Sequence, residues 1–113
     1  MRRGEVWTVS GGNDYDGKPR PCVVLQDDSF DSTDSITICI FATHEVDAPL
    51  FRLAVQPNEG NGLHLLSWLM VDKIATVPRG KLGRRLGKLG GEDMLRLNRS
   101  ALVFLGLASP RIG

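Results

Sequence analysis

The chain predicts a mainly β domain closed by one α-helix: a small, strongly curved antiparallel barrel with the helix packed on it. Three observations carry this reading. Short apolar, β-rich runs are separated by clusters of Gly, Pro, Asn, Asp and Ser. Within Ser35 to Thr43, Ile36, Ile38 and Ile40 alternate with Thr37, Cys39 and Phe41 at a period of two, as a strand requires. From Glu92 the apolar period changes to 3.6, with Met94, Leu97, Ala101, Phe104, Leu105 and Ala108 on one helical face. At 113 residues, 42% of them hydrophobic, the chain can bury one core but not two, so residues 1–113 are read as a single domain.

The elements follow in order. Glu5 to Val9 is a first strand, ended by Ser10-Gly11-Gly12-Asn13-Asp14-Tyr15-Asp16-Gly17, which is rich in residues that tolerate turns. Pro21 closes that loop, and Cys22 to Gln26 forms a second strand, which places Arg20 where the loop meets the buried strand. Ser35 to Thr43 is the third, with Thr43 at its end. Leu50 to Val55 is the next, bounded by Pro49 and by Pro57-Asn58-Glu59-Gly60-Asn61-Gly62. Ser67 to Asp72 and Ile74 to Val77 supply one or two more, stopped by Pro78, and Leu82 to Leu89 is a glycine-punctuated basic hairpin or short strand. The helix carries Glu92 and Asp93 in its first turn, where the helix dipole favours acid, and Ser109-Pro110 is expected to end it.

Composition excludes several classes. The longest apolar run near the end, Ala101 to Leu105, is interrupted by Gly106 and far shorter than the roughly 20 residues of a membrane helix. No apolar segment follows Arg2-Arg3, so the N-terminus reads as the start of the fold rather than an export signal, and the protein as cytoplasmic. Cys22 and Cys39 lie inside apolar runs and are read as buried, reduced thiols. Together with His44 and His64 their spacing does not make a zinc site, and no metal or other cofactor is expected.

Charge is small overall but unevenly placed. Net charge is +1, yet residues 1–70 hold five Lys/Arg against ten Asp/Glu and residues 71–113 hold nine against three, giving −5 and +6. Arg79, Lys81, Arg84, Arg85 and Lys88 follow one another with no acid between them, which suits either a polyanion, an acidic partner segment or a solvated basic hairpin.

Function enters through Arg3-Gly4-Glu5-Val6-Trp7, then Gly17-Lys18-Pro19-Arg20-Pro21-Cys22-Val23-Val24-Leu25, Phe41-Ala42-Thr43, Asn61-Gly62-Leu63, Ser67 and Val71-Asp72-Lys73-Ile74-Ala75-Thr76-Val77. In that order and spacing these resemble the MazF/PemK family of toxins, the endoribonuclease halves of bacterial toxin-antitoxin pairs, over nearly the whole chain. The resemblance implies an SH3-like barrel working as a homodimer, with single-stranded RNA held across the subunit interface. It also implies metal-independent cleavage by attack of a ribose 2′-hydroxyl on its own phosphodiester. Arg20 and Thr43 are the positions carried over as catalytic. The chemistry suits them: a guanidinium stays protonated and offers a fork of donors to phosphate oxygens, and a threonine hydroxyl can donate to a non-bridging oxygen.

Asn13, Tyr15, Lys18, His44 and Asp72 are candidate RNA contacts: Lys18 for phosphate, Tyr15 as a stacking platform, Asp72 at an acidic position used by some relatives. His44 has a shuttle's imidazole, but directly after Thr43 it faces the other side of a regular strand, as a surface histidine would. The resemblance further implies an antitoxin with an acidic, disordered tail, for which Arg79, Lys81, Arg84, Arg85 and Lys88 are the candidate docking residues. Two other readings share the scaffold: a non-catalytic toxin that inhibits DNA gyrase through its apolar terminal helix, and an SH3-like binding module.

Overall fold

In a computed structural model, which describes residues 1–10 and 18–109, six strands form one antiparallel sheet. They are β1 (Glu5–Val9), β2 (Arg20–Val24), β3 (Ser35–Ala42), β4 (Arg52–Val55), β5 (Ser67–Pro78) and β6 (Leu82–Lys88), in the spatial order β4-β5-β3-β2-β1-β6. Among the described residues one α-helix, α1 (Gly91–Phe104), packs mainly on β5 and β4. The strongly curved antiparallel sheet with its terminal helix is as the sequence predicts; it stays open, with β4 and β6 as its two edges not paired with each other.

Alternation along β3 builds both sides of the core. Ile36, Ile38 and Ile40 enter one apolar cluster with Val9, Cys22, Val24, Ala42, Met70 and Leu82; Cys39 and Phe41 enter the other with Val6, Val23, Val71 and the helix residue Leu97. Each fully buried side chain of this size contributes about 1.5–3 kcal/mol, so the central strand is anchored from both faces. Burial pushes both thiols, Cys22 and Cys39, up to about 12, which keeps them protonated and unreactive.

Curvature comes from β5, one continuous strand of 12 residues rather than two. Opposite β3 it carries extra residues: Cys39 pairs with Ile74 and Phe41 with Leu69. The resulting bend lets its first part pair with β4, from Val55 with Ser67 to Arg52 with Met70, while its second part continues along β3.

The helix is shorter than its apolar stripe suggested. It ends at Phe104, because Gly106 adopts φ +77° and closes a Schellman motif: Gly106 N–H donates to Val103 C=O and Leu107 N–H to Leu102 C=O. Leu97 is fully buried with Met94 and Ala101 beside it, whereas Phe104, Leu105 and Ala108 are exposed. Ser100 donates to the Leu50 carbonyl, Arg96 to that of Ala54 at 2.8 Å, and the Phe104 ring lies 5.6 Å from that of Phe51.

Between β4 and β5 the chain is fastened by one buried amide. The Asn61 side chain donates to the Gln56 carbonyl at 2.9 Å and accepts from the N–H groups of Asn58 at 3.1 Å and Leu63 at 3.0 Å. Gly62, at φ +70°, lies so close to β6 that a Cβ there would sit 2.1 Å from the Leu86 carbonyl oxygen. On Gly87 a Cβ would meet the Gly60 oxygen at 2.3 Å, and Lys88 N–H donates to that oxygen at 2.8 Å. Asn61→Ala leaves the buried Leu63 N–H without its partner and removes the bonds to Asn58 N–H and the Gln56 carbonyl, and is expected to cost about 1–3 kcal/mol in urea unfolding. A loss below about 0.5 kcal/mol would mean that the loop is held by its glycine contacts alone.

Candidate active site

A cleft of about 230 Å³ opens where the ends of several strands meet that fastened loop. Its walls are Thr8 of β1, Pro19 and Pro21 on either side of Arg20, Thr43 just past β3, Gly62 to Leu65, Ser67 of β5, and Arg84 and Leu86 of β6. Two irregularities aim the last wall. β6 carries extra residues opposite β1, first between the Val6–Gly87 and Trp7–Arg85 pairs and again before Val9–Leu82. Bulges of this kind redirect side chains. Arg84 sits in the second, its backbone N–H donating to the Thr8 hydroxyl at 2.9 Å, so the donor freed by the bulge remains satisfied.

Thr43 is exposed within the cleft, immediately after the buried Ala42. Arg20, half-buried, opens β2 opposite Val9. The hydroxyl of Ser67 donates to the Leu65 carbonyl at 2.9 Å and steadies the loop from its far end. Apart from Arg84, the described lining residues are uncharged or hold the single imidazole of His64.

The remaining sequence candidates fall elsewhere. Lys18 is exposed one residue before Pro19. His44 is exposed but does not line the cleft. Asp72 does not line it either; its two oxygens accept from Arg52 Nε at 2.7 Å and Nη2 at 2.9 Å. That bidentate partner, 9% exposed, holds the Asp72 carboxyl below the usual carboxylate range, so Asp72 serves to tie β4 to β5. Asn13 and Tyr15 lie outside the described residues.

The basic segment is not a hairpin but a 3-10 turn (Arg79–Lys81) leading into the edge strand β6, and its charges divide. Arg79 folds back on the Asp31 carboxylate at 3.4 Å and on the carbonyls of Asp31 and Thr33. Arg85 Nε reaches Glu5 Oε2 at 2.7 Å. Lys81, Arg84 and Lys88 remain exposed along the edge.

A second hollow of about 330 Å³ across β4 and β5 includes Trp68, Arg52 and Arg96, but Glu45 and Asp47 share it and both arginines are engaged. Of these two hollows, the first sets the exposed Thr43 hydroxyl beside the exposed Arg84 with no carboxylate among its described lining residues, a combination that suits a phosphodiester. Sequence reading missed Thr8, His64 and Ser67 as its walls; the signal for His64 was the Asn61-Gly62-Leu63 motif directly ahead of it.

Glu5 ties β1 to β6 through Arg85. Burial would raise its pKa, but the Arg2 N–H at 2.6 Å, the Arg85 guanidinium and the Trp7 indole at 3.2 Å outweigh burial and hold it at about 2, down from 4.5. A carboxylate depressed on folding contributes stability above its unfolded pKa and loses it as pH falls through the folded one. The stability gap between the native chain and Glu5→Gln should therefore be full at pH 6 and shrink from about pH 5 to 2 in urea titrations. A gap that stays constant across that range would show Glu5 to be ordinary in the fold.

Three comparisons bear on the chain. Residues 2–105 match the family profile described as PemK-like, MazF-like toxin of type II toxin-antitoxin system. Over 108 residues, 96% of this chain and 99% of the relative, it is 48% identical to a probable endoribonuclease MazF of Mycolicibacterium smegmatis. Among solved structures, an endoribonuclease in complex with its cognate antitoxin from a mycobacterial species superposes with TM-score 0.81 at 22% identity, covering 97% of this chain and 99% of that one. A MazE-MazF complex of Deinococcus radiodurans gives 0.74 at 14% identity, over 96% and 98%.

Proposed function

The chain belongs to the PemK-like, MazF-like toxins of type II toxin-antitoxin systems, and from that membership we infer that it is an endoribonuclease cutting single-stranded RNA. The observation that carries the reading is the first cleft, where Thr43, Arg84 and the two prolines that flank Arg20 line a surface without carboxylates among its described residues. In the reaction we propose, the 2′-oxygen bonds to phosphorus, the bond to the 5′-oxygen breaks, and Arg20 and Thr43 stabilise the charge that accumulates on the phosphoryl oxygens. No metal is assigned a role. The comparisons favour neither gyrase inhibition nor a binding module, and the cytoplasm, where RNA is made and translated, is the compartment this activity implies.

The test is incubation of the purified protein with mixed-sequence RNA in EDTA, with the cut ends mapped. Defined cuts that leave 5′-hydroxyl ends are expected. Arg20→Ala, still folded, should cut at least ~10²-fold more slowly, as when one preorganised donor of an oxyanion site is removed, and Thr43→Ala should lose less because a neutral donor contributes less. Native single-turnover rates in both variants would remove these residues from the chemistry.

Two partners follow from the same reading. Exposed Leu102, Leu105 and Leu107, beside Phe104 and Leu50, form an apolar surface that a second copy would cover in a homodimer. An antitoxin with an acidic tail would meet Lys81, Arg84 and Lys88, whereas Arg79 and Arg85 are already engaged by Asp31 and Glu5. Light scattering should give about twice the chain mass for the toxin alone. Antitoxin affinity should fall with salt and drop about ten-fold or more in an Arg84→Glu, Lys88→Glu double variant. Affinity indifferent to both would place the antitoxin's hold on apolar contacts.

A further inference from the structure

We propose that His64 is the general base of this reaction, taking the proton from the attacking 2′-hydroxyl. The inference rests on the endoribonuclease reading above and names the group which that reading leaves open. Attack by a 2′-hydroxyl needs a proton acceptor within hydrogen-bond reach. Among the described residues of the cleft, the polar side chains are the hydroxyls of Thr8, Thr43 and Ser67, the guanidinium of Arg84 and the imidazole of His64. Aliphatic hydroxyls are too weakly basic for the task, and a guanidinium keeps its proton. Imidazole is the side-chain type whose ordinary titration range brackets neutral pH, so it alone of this set can accept a proton and release it again.

Position favours it as well. His64 is exposed to the cleft, yet the backbone just ahead of it is fixed: Leu63 is buried and its N–H is held by the Asn61 amide at 3.0 Å. A base carried on a fastened loop loses little freedom when substrate arrives, which is the condition for efficient proton transfer. The groups sharing its cleft are Arg84 from β6 and the hydroxyls of Thr8 from β1, Thr43 past β3 and Ser67 from β5; Arg20 stands in the chain between the lining Pro19 and Pro21 and does not itself line the cleft. No described lining residue is a carboxylate that could act in its place. The other candidates from sequence are elsewhere or occupied, His44 outside the lining and Asp72 bound by Arg52.

In the step, the 2′-hydroxyl proton passes to the neutral imidazole as the 2′-oxygen bonds to phosphorus. The 5′-oxygen leaves with its electron pair and takes a proton from water, and the imidazolium returns its own proton to solvent. The products are a 2′,3′-cyclic phosphate and a 5′-hydroxyl end.

The experiment compares the native protein with His64→Ala, His64→Gln and Arg20→Ala, using single-turnover cleavage of one mapped RNA at saturating protein from about pH 5 to 8. Binding is measured separately with the same RNA carrying a 2′-deoxyribose at the cut position. The native rate should rise with pH over this range; both His64 variants should cut at least ~10²-fold more slowly, bind the deoxy RNA within about two-fold of native, and lose that rise. Free imidazole should restore part of the rate to His64→Ala alone. Native rates in both His64 variants, with Arg20→Ala still impaired, would overturn the assignment and leave the endoribonuclease reading standing. A loss confined to deoxy-RNA binding would also overturn it, by making His64 a contact only. If the native protein cuts no RNA at all, both readings fall.

Discussion

The site depends on the close approach of two backbones, the 60–62 turn and the 86–88 stretch of β6. They come within a distance that neither Gly62 nor Gly87 could keep with a side chain, and the Asn61 amide fills the hydrogen-bonding needs of the turn that makes the approach. One wall of the cleft, Gly62 to Leu65, is thereby fixed against the opposite wall, Arg84 and Leu86. The arrangement needs no further element to cover it, because the polar groups buried in the turn are answered within it, and a buried amide left half-satisfied would be the weakest point of such a loop.

Charge placement follows from the same economy of partners. The excess of acid in the first 70 residues and of base in the remainder is partly consumed by pairs that join distant parts of the chain: Glu5 with Arg85 and Asp31 with Arg79. Exposed pairs of this sort stabilise little. Their larger effect is to sort the basic residues, holding some within the fold and leaving Arg84 in the cleft, Lys88 on the edge strand and Lys81 in the turn before it, where they discourage edge-to-edge pairing and attract polyanions.

Much of this was legible in the sequence because it rests on local periodicity. The alternation of Ile36 to Phe41 gave β3 and its two-sided burial, the run from Glu5 gave β1, and the stripe through Met94, Leu97 and Ala101 gave the buried helix face. Arg20 and Thr43 were placed at strand ends by Pro21 and by the end of alternation. What stayed hidden depends on register between strands far apart. The bend of β5, the two bulges of β6 and the open sheet edges have no single-strand signature, and so neither the aim of Arg84 nor the entry of His64 and Thr8 into one cleft could be read. The helix end was misplaced because Gly106 outweighed a stripe that continued through Leu105 and Ala108.

The pairing of β1 with β6 joins Glu5 to Lys88, so the first and last strands of the sheet lie side by side. Thr8 and Arg84 come together only through that contact, and contacts between such distant residues form late because the intervening chain must be ordered first. A chain still emerging from the ribosome has the residues of its first three strands but no assembled cleft until β6 has been made and docked. A chain that ends before β6 lacks Arg84 and Leu86, and with them one wall of the cleft. In the reading proposed above, the cleft is thus among the last parts of the sheet to be completed, and Arg84 joins it only when the final strand docks on the first.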